Sequence, residues 1–167
     1  MSSTEPKPQG CKNTILIVDD VELNRDVLSI MFAQDHNIEF AENGPDALEI
    51  LRERKDEICA ILLDYVMPEM DGLTFLELAS KEGLVKEIPV FLMTATLDYE
   101  VVHRAYALGV SDYIQRPISP YIAQRRIKNV IELFRTRQAY ARLMEANRLL
   151  LERLSQLDEL AADDHNP

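Results

Sequence analysis

Cysteine is scarce in this 167-residue chain: Cys11 and Cys59 show neither metal-ligand spacing nor a disulfide framework. Cys59 lies inside an apolar run and reads as a small buried hydrophobe, with no basic neighbour to activate its thiol. Long apolar runs are also missing. Ile58–Leu63 and Ile88–Met93 are far too short to span a bilayer, and Met1–Gly10 is polar, without an apolar signal core, so a cytoplasmic protein is expected. Cations are few where acids are many: residues 1–116 hold 10 Lys+Arg against 22 Asp+Glu, while 117–167 hold 8 against 7, giving a net charge of −11. The acidic part repels phosphate backbones, which argues against direct nucleic-acid binding, and attracts a divalent cation or a basic partner. No Gly-rich loop follows the first apolar run, so a nucleotide or flavin binder is disfavoured. His36, His103 and His165 are scattered and read as surface or capping residues.

What is present is a regular alternation. At 47% hydrophobic, the chain can bury one core with an appendage. Residues 1–12, with Pro6 and Pro8, read as a flexible lead, 13–134 as the domain, 135–160 as a helical extension and 161–167 as a flexible tail. Thr14–Val18 predicts a strand, and Leu23, Val27, Ile30 and Met31 predict a helix after it. Ile38–Ala41 predicts the next strand, and Asn43-Gly44-Pro45 opens a helix with Ala47, Leu48 and Leu51 on one face. Ile58–Leu63 has no polar interruption, as suits a central strand covered on both faces. Residues 72–81 predict a helix, Ile88–Met93 a strand, Tyr99–Leu108 a helix stopped by Gly109, and Ser111–Gln115 the last strand. Five strands alternating with helices imply an α/β fold with right-handed crossovers and a parallel, doubly wound, flavodoxin-like sheet of order 2-1-3-4-5.

Polar residues stand where the apolar runs stop: Asp19-Asp20, Asp64, Thr94 and the Tyr113/Arg116 pair. Parallel α/β sheets gather their chemistry at the carboxyl ends of the strands. Singly, an aspartate there is usually a helix cap, a threonine a turn residue and a tyrosine part of the core. Their joint occurrence on successive strand ends outweighs those readings. Converging carboxylates repel one another and are tolerated with a hard cation such as Mg²⁺, which prefers oxygen ligands.

These motifs, ILIVDD, ILLDYVMPEMDG, VFLMTA and DYIQRP, resemble the receiver domain of two-component response regulators, chemotaxis regulators included, over about residues 13–125. The resemblance implies Mg²⁺ held by Asp19, Asp20, Asp64 and the backbone carbonyl of Val66, with Asp19 acting largely through water. It implies Asp64 as phosphoacceptor, supplied by a histidine kinase, a phosphotransfer protein or a small acyl phosphate. Thr94 would bond the phosphoryl group, and Tyr113 would move into the space vacated, altering the face formed by the fourth helix, fifth strand and fifth helix. Where the family has lysine this chain has Arg116, whose planar fork grips carboxylates bidentately, so either pairing with Asp64 or an approach to phosphate from a different angle is expected, with phosphorylation surviving at an altered rate or with weaker coupling. A cis Arg116-Pro117 bond is also implied. Val66 and Thr96 offer no acid or amide to orient water, which suggests a long-lived phosphoryl group.

Beyond Pro120 no Gly or Pro occurs until Pro167, which predicts a helix of about 40 residues, roughly 60 Å long. Leu133, Tyr140, Asn147, Leu154 and Ala161 share one heptad position, and Leu143, Leu150 and Leu157 its partner position. Asn147 at a core position favours an in-register parallel dimer, in which Arg153 faces Asp158 of the other copy. Met144, Leu149 and Leu151 widen the stripe, leaving room for a higher oligomer or another partner helix. Similar helices join receivers to output modules, and no output enzyme is expected within these residues. One rival is an aspartyl-phosphate phosphohydrolase of the haloacid dehalogenase kind, but that needs Asp-x-Asp where this chain has Asp19-Asp20-Val21-Glu22. The other is a degenerate receiver serving as a phosphorylation-independent dimeric scaffold, with Arg116 clamping Asp64.

Overall fold

The computed structural model describes residues 12–95 and 98–163, with side chains described as far as residue 156. Five strands, β1 (Thr14–Val18), β2 (Asn37–Ala41), β3 (Ile58–Asp64), β4 (Val90–Thr94) and β5 (Asp112–Gln115), alternate with helices α1 (Glu22–Phe32), α2 (Gly44–Arg54), α3 (Gly72–Lys81), α4 (Tyr99–Ala107) and α5 (Pro120–Asp163). The strands pair in parallel in the order β2-β1-β3-β4-β5, the flavodoxin-like arrangement expected.

Alternation along the strands divides the core in two. Leu16, Val18, Ile61, Leu63, Val90 and Leu92 face α2 and α3. Ile15, Ile17, Ala60, Leu62, Phe91 and Met93 pack with Leu28 and Phe32 of α1 and Ala123, Ile127 and Ile131 of α5. Because both sheet faces are covered, β3 is buried through Leu63 and needs no polar side.

The boundaries differ from the expected ones for local reasons. Pro89 has no amide to donate, so pairing at the start of β4 begins through its carbonyl, which accepts from Ile61 N–H at 3.0 Å, and the strand proper starts at Val90 rather than Ile88. β3 continues through Asp64, which registers with Met93. Asn43, Asp71 and Asp98 cap α2, α3 and α4, accepting from the amides of Asp46 (2.8 Å), Thr74 (2.7 Å) and Glu100 (2.9 Å). Gly109, at φ 93°, ends α4 in the left-handed conformation a stop requires. His36, expected at the surface or in a capping role, is buried with its ring edge-on to Phe32, and its amide donates to the Phe32 carbonyl at 2.9 Å in the turn after α1. Cys59 is buried, while Cys11, Thr96 and His165 lie outside the described residues.

The chain forms two compact units, one ending at Ile131 and one beginning at Glu132, three residues before the boundary expected after 134. In the second unit α5 is described through Asp163, past the expected end at 160. Its apolar residues Tyr140, Leu143, Met144, Leu150, Leu151 and Leu154 are all exposed.

Candidate functional site

Sheet register assembles the site. Val18 pairs with Leu63, so Asp19 follows β1 beside Asp64; Asp64 pairs with Met93, one residue before Thr94; Thr94 pairs with Gln115, one residue before Arg116. Four separate segments thus end at one place. One carboxylate oxygen each from Asp19, Asp20 and Asp64 lies within 4.8 Å of the others.

The three acids are not equivalent. Asp19 is fully buried: Oδ1 accepts from the Val21 amide (2.9 Å) and from Asn24 Nδ2 (3.0 Å), and Oδ2 accepts from Arg116 Nη2. It therefore also ties the turn that leads into α1 to the strand end, without capping the helix itself. Asp20 is exposed and Asp64 is half-buried. Burial pushes the Asp64 carboxyl up to about 6; Arg116 opposes that shift, Asp19 and Asp20 reinforce it, and the Tyr65 amide opposes it.

Arg116 follows the end of β5, held there by its amide, which donates to the Thr94 carbonyl at 2.9 Å. Its guanidinium bonds Asp19 and stands 3.2 Å from Asp64 Oδ1, so the cation bridges two acids rather than gripping Asp64 bidentately. The Arg116-Pro117 peptide is cis. Thr94 is buried at the end of β4. Tyr113 is half-buried, with Tyr106 of α4 edge-on to it at 6.4 Å between ring centroids. Val66 is exposed in the β3–α3 loop, which closes through Gly72 N–H to the Tyr65 carbonyl at 2.9 Å.

Sequence reasoning missed Arg25. It is buried, donates to the Asp19 carbonyl at 2.7 Å and to Glu42 Oε1 at 2.9 Å, and so holds the strand end that carries the acids. The signal was present: Arg25, Leu28 and Phe32 fall on one helical face, the face α1 buries.

Fold, strand-end acids, hydroxyl and cation define a signalling receiver. The chain belongs to the response regulator receiver domain family, whose pattern it matches over residues 15–131. It is 30% identical over 128 residues to the two-component response regulator ORR3 of Oryza sativa subsp. indica, covering 76% of this chain and 93% of that protein. The transcriptional regulatory protein SrrA of Staphylococcus aureus (strain NCTC 8325 / PS 47) is 33% identical over 120 residues, 71% of this chain and 48% of SrrA. This chain spans only 16% of another relative, the 3',5'-cyclic-nucleotide phosphodiesterase regA of Dictyostelium discoideum, at 27% identity over 123 residues. Among solved structures, the chemotaxis protein CheY4 of Vibrio cholerae superposes with a TM-score of 0.66 at 22% identity, covering 72% of this chain and 99% of that one. A CheY-like receiver from Methanospirillum hungatei JF-1 gives 0.68 at 23%, covering 76% and 99%. Among the described residues no helix is long and apolar enough to cross a membrane.

Proposed function

We propose that this chain is a receiver that accepts a phosphoryl group on Asp64 and passes the change on through its switch face and its C-terminal helix, acting as a signalling module and not as an enzyme. The observation that carries the reading is the meeting of Asp19, Asp20 and Asp64 within 4.8 Å at the strand ends. All-oxygen donors suit Mg²⁺, and the Val66 carbonyl, on the same loop as Asp64, completes the donor set we assign. Bound there, Mg²⁺ supplies neutralisation of the charge shared by the acids and the incoming phosphoryl group.

The remaining work falls to this chain's own groups. With its carboxyl near 6, Asp64 is largely ionised at neutral pH and presents an oxygen to phosphorus. The new P–O bond forms as the donor's P–N bond breaks, and the electron pair returns to the imidazole of a histidine kinase or phosphotransfer protein. Thr94 donates its hydroxyl to a phosphoryl oxygen and Arg116 contributes positive charge, with a rate that differs from that of a lysine variant. Tyr113 then leaves its edge-on place beside Tyr106 for the space that Thr94 vacates, changing the α4–β5–α5 face.

The exposed heptad of Tyr140, Leu143, Asn147, Leu150 and Leu154, continued by Leu157 in sequence, pairs with a second copy in parallel and conveys the change to an output domain or protein. We place this activity in the cytoplasm, with no membrane or direct nucleic-acid contact by the acidic domain. The test is intact-protein mass spectrometry after incubation with acetyl phosphate and Mg²⁺. A gain of one phosphoryl group, absent in Asp64→Asn, is expected; no gain, from acetyl phosphate or from kinase donors, would favour the scaffold role.

A further inference from the structure

We propose that Arg116 is a resident counter-ion of the acid pocket that competes with divalent metal for Asp19, so that metal enters as the guanidinium leaves. The inference rests on the metal-assisted reading above and deepens it by assigning a role to the residue that departs from the family pattern.

Asp19 has no exposed surface, and both of its oxygens are engaged: Oδ1 by the Val21 amide (2.9 Å) and Asn24 (3.0 Å), Oδ2 by Arg116. A carboxylate withdrawn from water requires such compensation. The same guanidinium nitrogen stands 3.2 Å from Asp64 Oδ1. One nitrogen therefore joins two of the three acids whose oxygens gather within 4.8 Å, which is what a bridging cation would do there.

Two details mark this pairing as displaceable. Arg116 Nε is buried without a hydrogen-bond partner, so the seated guanidinium forgoes a bond that water or a phosphoryl oxygen would give it outside. The root of the residue is held separately, by its amide on the Thr94 carbonyl at 2.9 Å, so the side chain can swing without releasing the loop. Lysine would not reproduce this arrangement: an ammonium is a compact, strongly hydrated point charge, whereas the guanidinium is planar and more weakly hydrated, and so accepts the buried bridging place.

The experiment is isothermal titration calorimetry of the full chain with Mg²⁺ and, separately, Mn²⁺, comparing the unaltered protein with Arg116→Lys, Arg116→Gln and Asp20→Asn, each checked by circular dichroism. Arg116→Lys should bind Mg²⁺ more tightly by about tenfold, Arg116→Gln more tightly still, and Asp20→Asn should lose binding. Unchanged affinity in Arg116→Lys, with Arg116→Gln tighter, would mean that the charge alone acts and would overturn the bridging role while leaving the metal site standing. Absence of binding in the unaltered protein and in both Arg116 variants would overturn the metal-assisted reading itself, and the competition with it.

Discussion

A β-carbon at Gly72 would stand 2.6 Å from the carbonyl oxygen of Asp64. The glycine that opens α3 is therefore a space requirement of the strand that ends in Asp64, with Leu92 Cδ1 and the Tyr65 α-carbon each 3.2 Å from the same point. Because the obstruction is backbone, it cannot turn aside. Gly72→Ala should destabilise the domain by about 1–3 kcal/mol, read as a lowered denaturant midpoint, and should slow phosphorylation by displacing the loop after Asp64. Gly44→Ala is the control: its β-carbon would meet the flexible Met70 side chain, and the loss should be clearly smaller.

The raised carboxyl of Asp64 ties stability to pH. With a folded value of about 6, the folded chain holds this proton more tightly than the unfolded chain does. That contribution is complete below the unfolded value of roughly 4 and is lost as pH rises through 6, so ionised Asp64 weighs against the metal-free fold at neutral pH. Asp64→Asn should raise the metal-free Tm by a few degrees at about pH 7.5, with the gain vanishing near pH 4. Equal gains at both values would remove the electrostatic cause.

Ionisation should also govern metal binding. Since protonated Asp64 offers a poor ligand, Mg²⁺ affinity should fall as pH drops below about 6. Calorimetric titrations across that range check it; a flat profile would place the metal away from Asp64.

In the second unit, Asn147 at a core position of the heptad should trade stability for register. Sedimentation equilibrium should find a dimer, Leu150→Glu a monomer, and Asn147→Leu a more heat-stable species with a broader range of oligomers. A monomeric unaltered protein would contradict the pairing.

Strand order and strand ends were legible because apolar runs and the polar residues closing them follow directly from a sheet buried on both faces. Asp19, Asp64, Thr94 and Arg116 could be placed together from one rule about parallel sheets. Partner choice among them could not. That Arg116 settles on Asp19 depends on how deeply Asp19 is buried and on the reach of a side chain from β5, neither of which is carried by local spacing. Arg25 shows the converse: its helical phase put it on the buried face, but its charge suggested solvent. The late start of β4 traces to one missing amide at Pro89, a detail below the resolution of an apolar run.

The central claim is that Asp64 itself carries the phosphoryl group. Borohydride reduction after treatment with acetyl phosphate and Mg²⁺ converts an aspartyl phosphate to homoserine, and peptide mass spectrometry then locates it. Homoserine at position 64, dependent on metal and absent from untreated protein, is the predicted result. Homoserine at Asp19 or Asp20 instead, or at no position although the intact protein gains mass, would contradict the account.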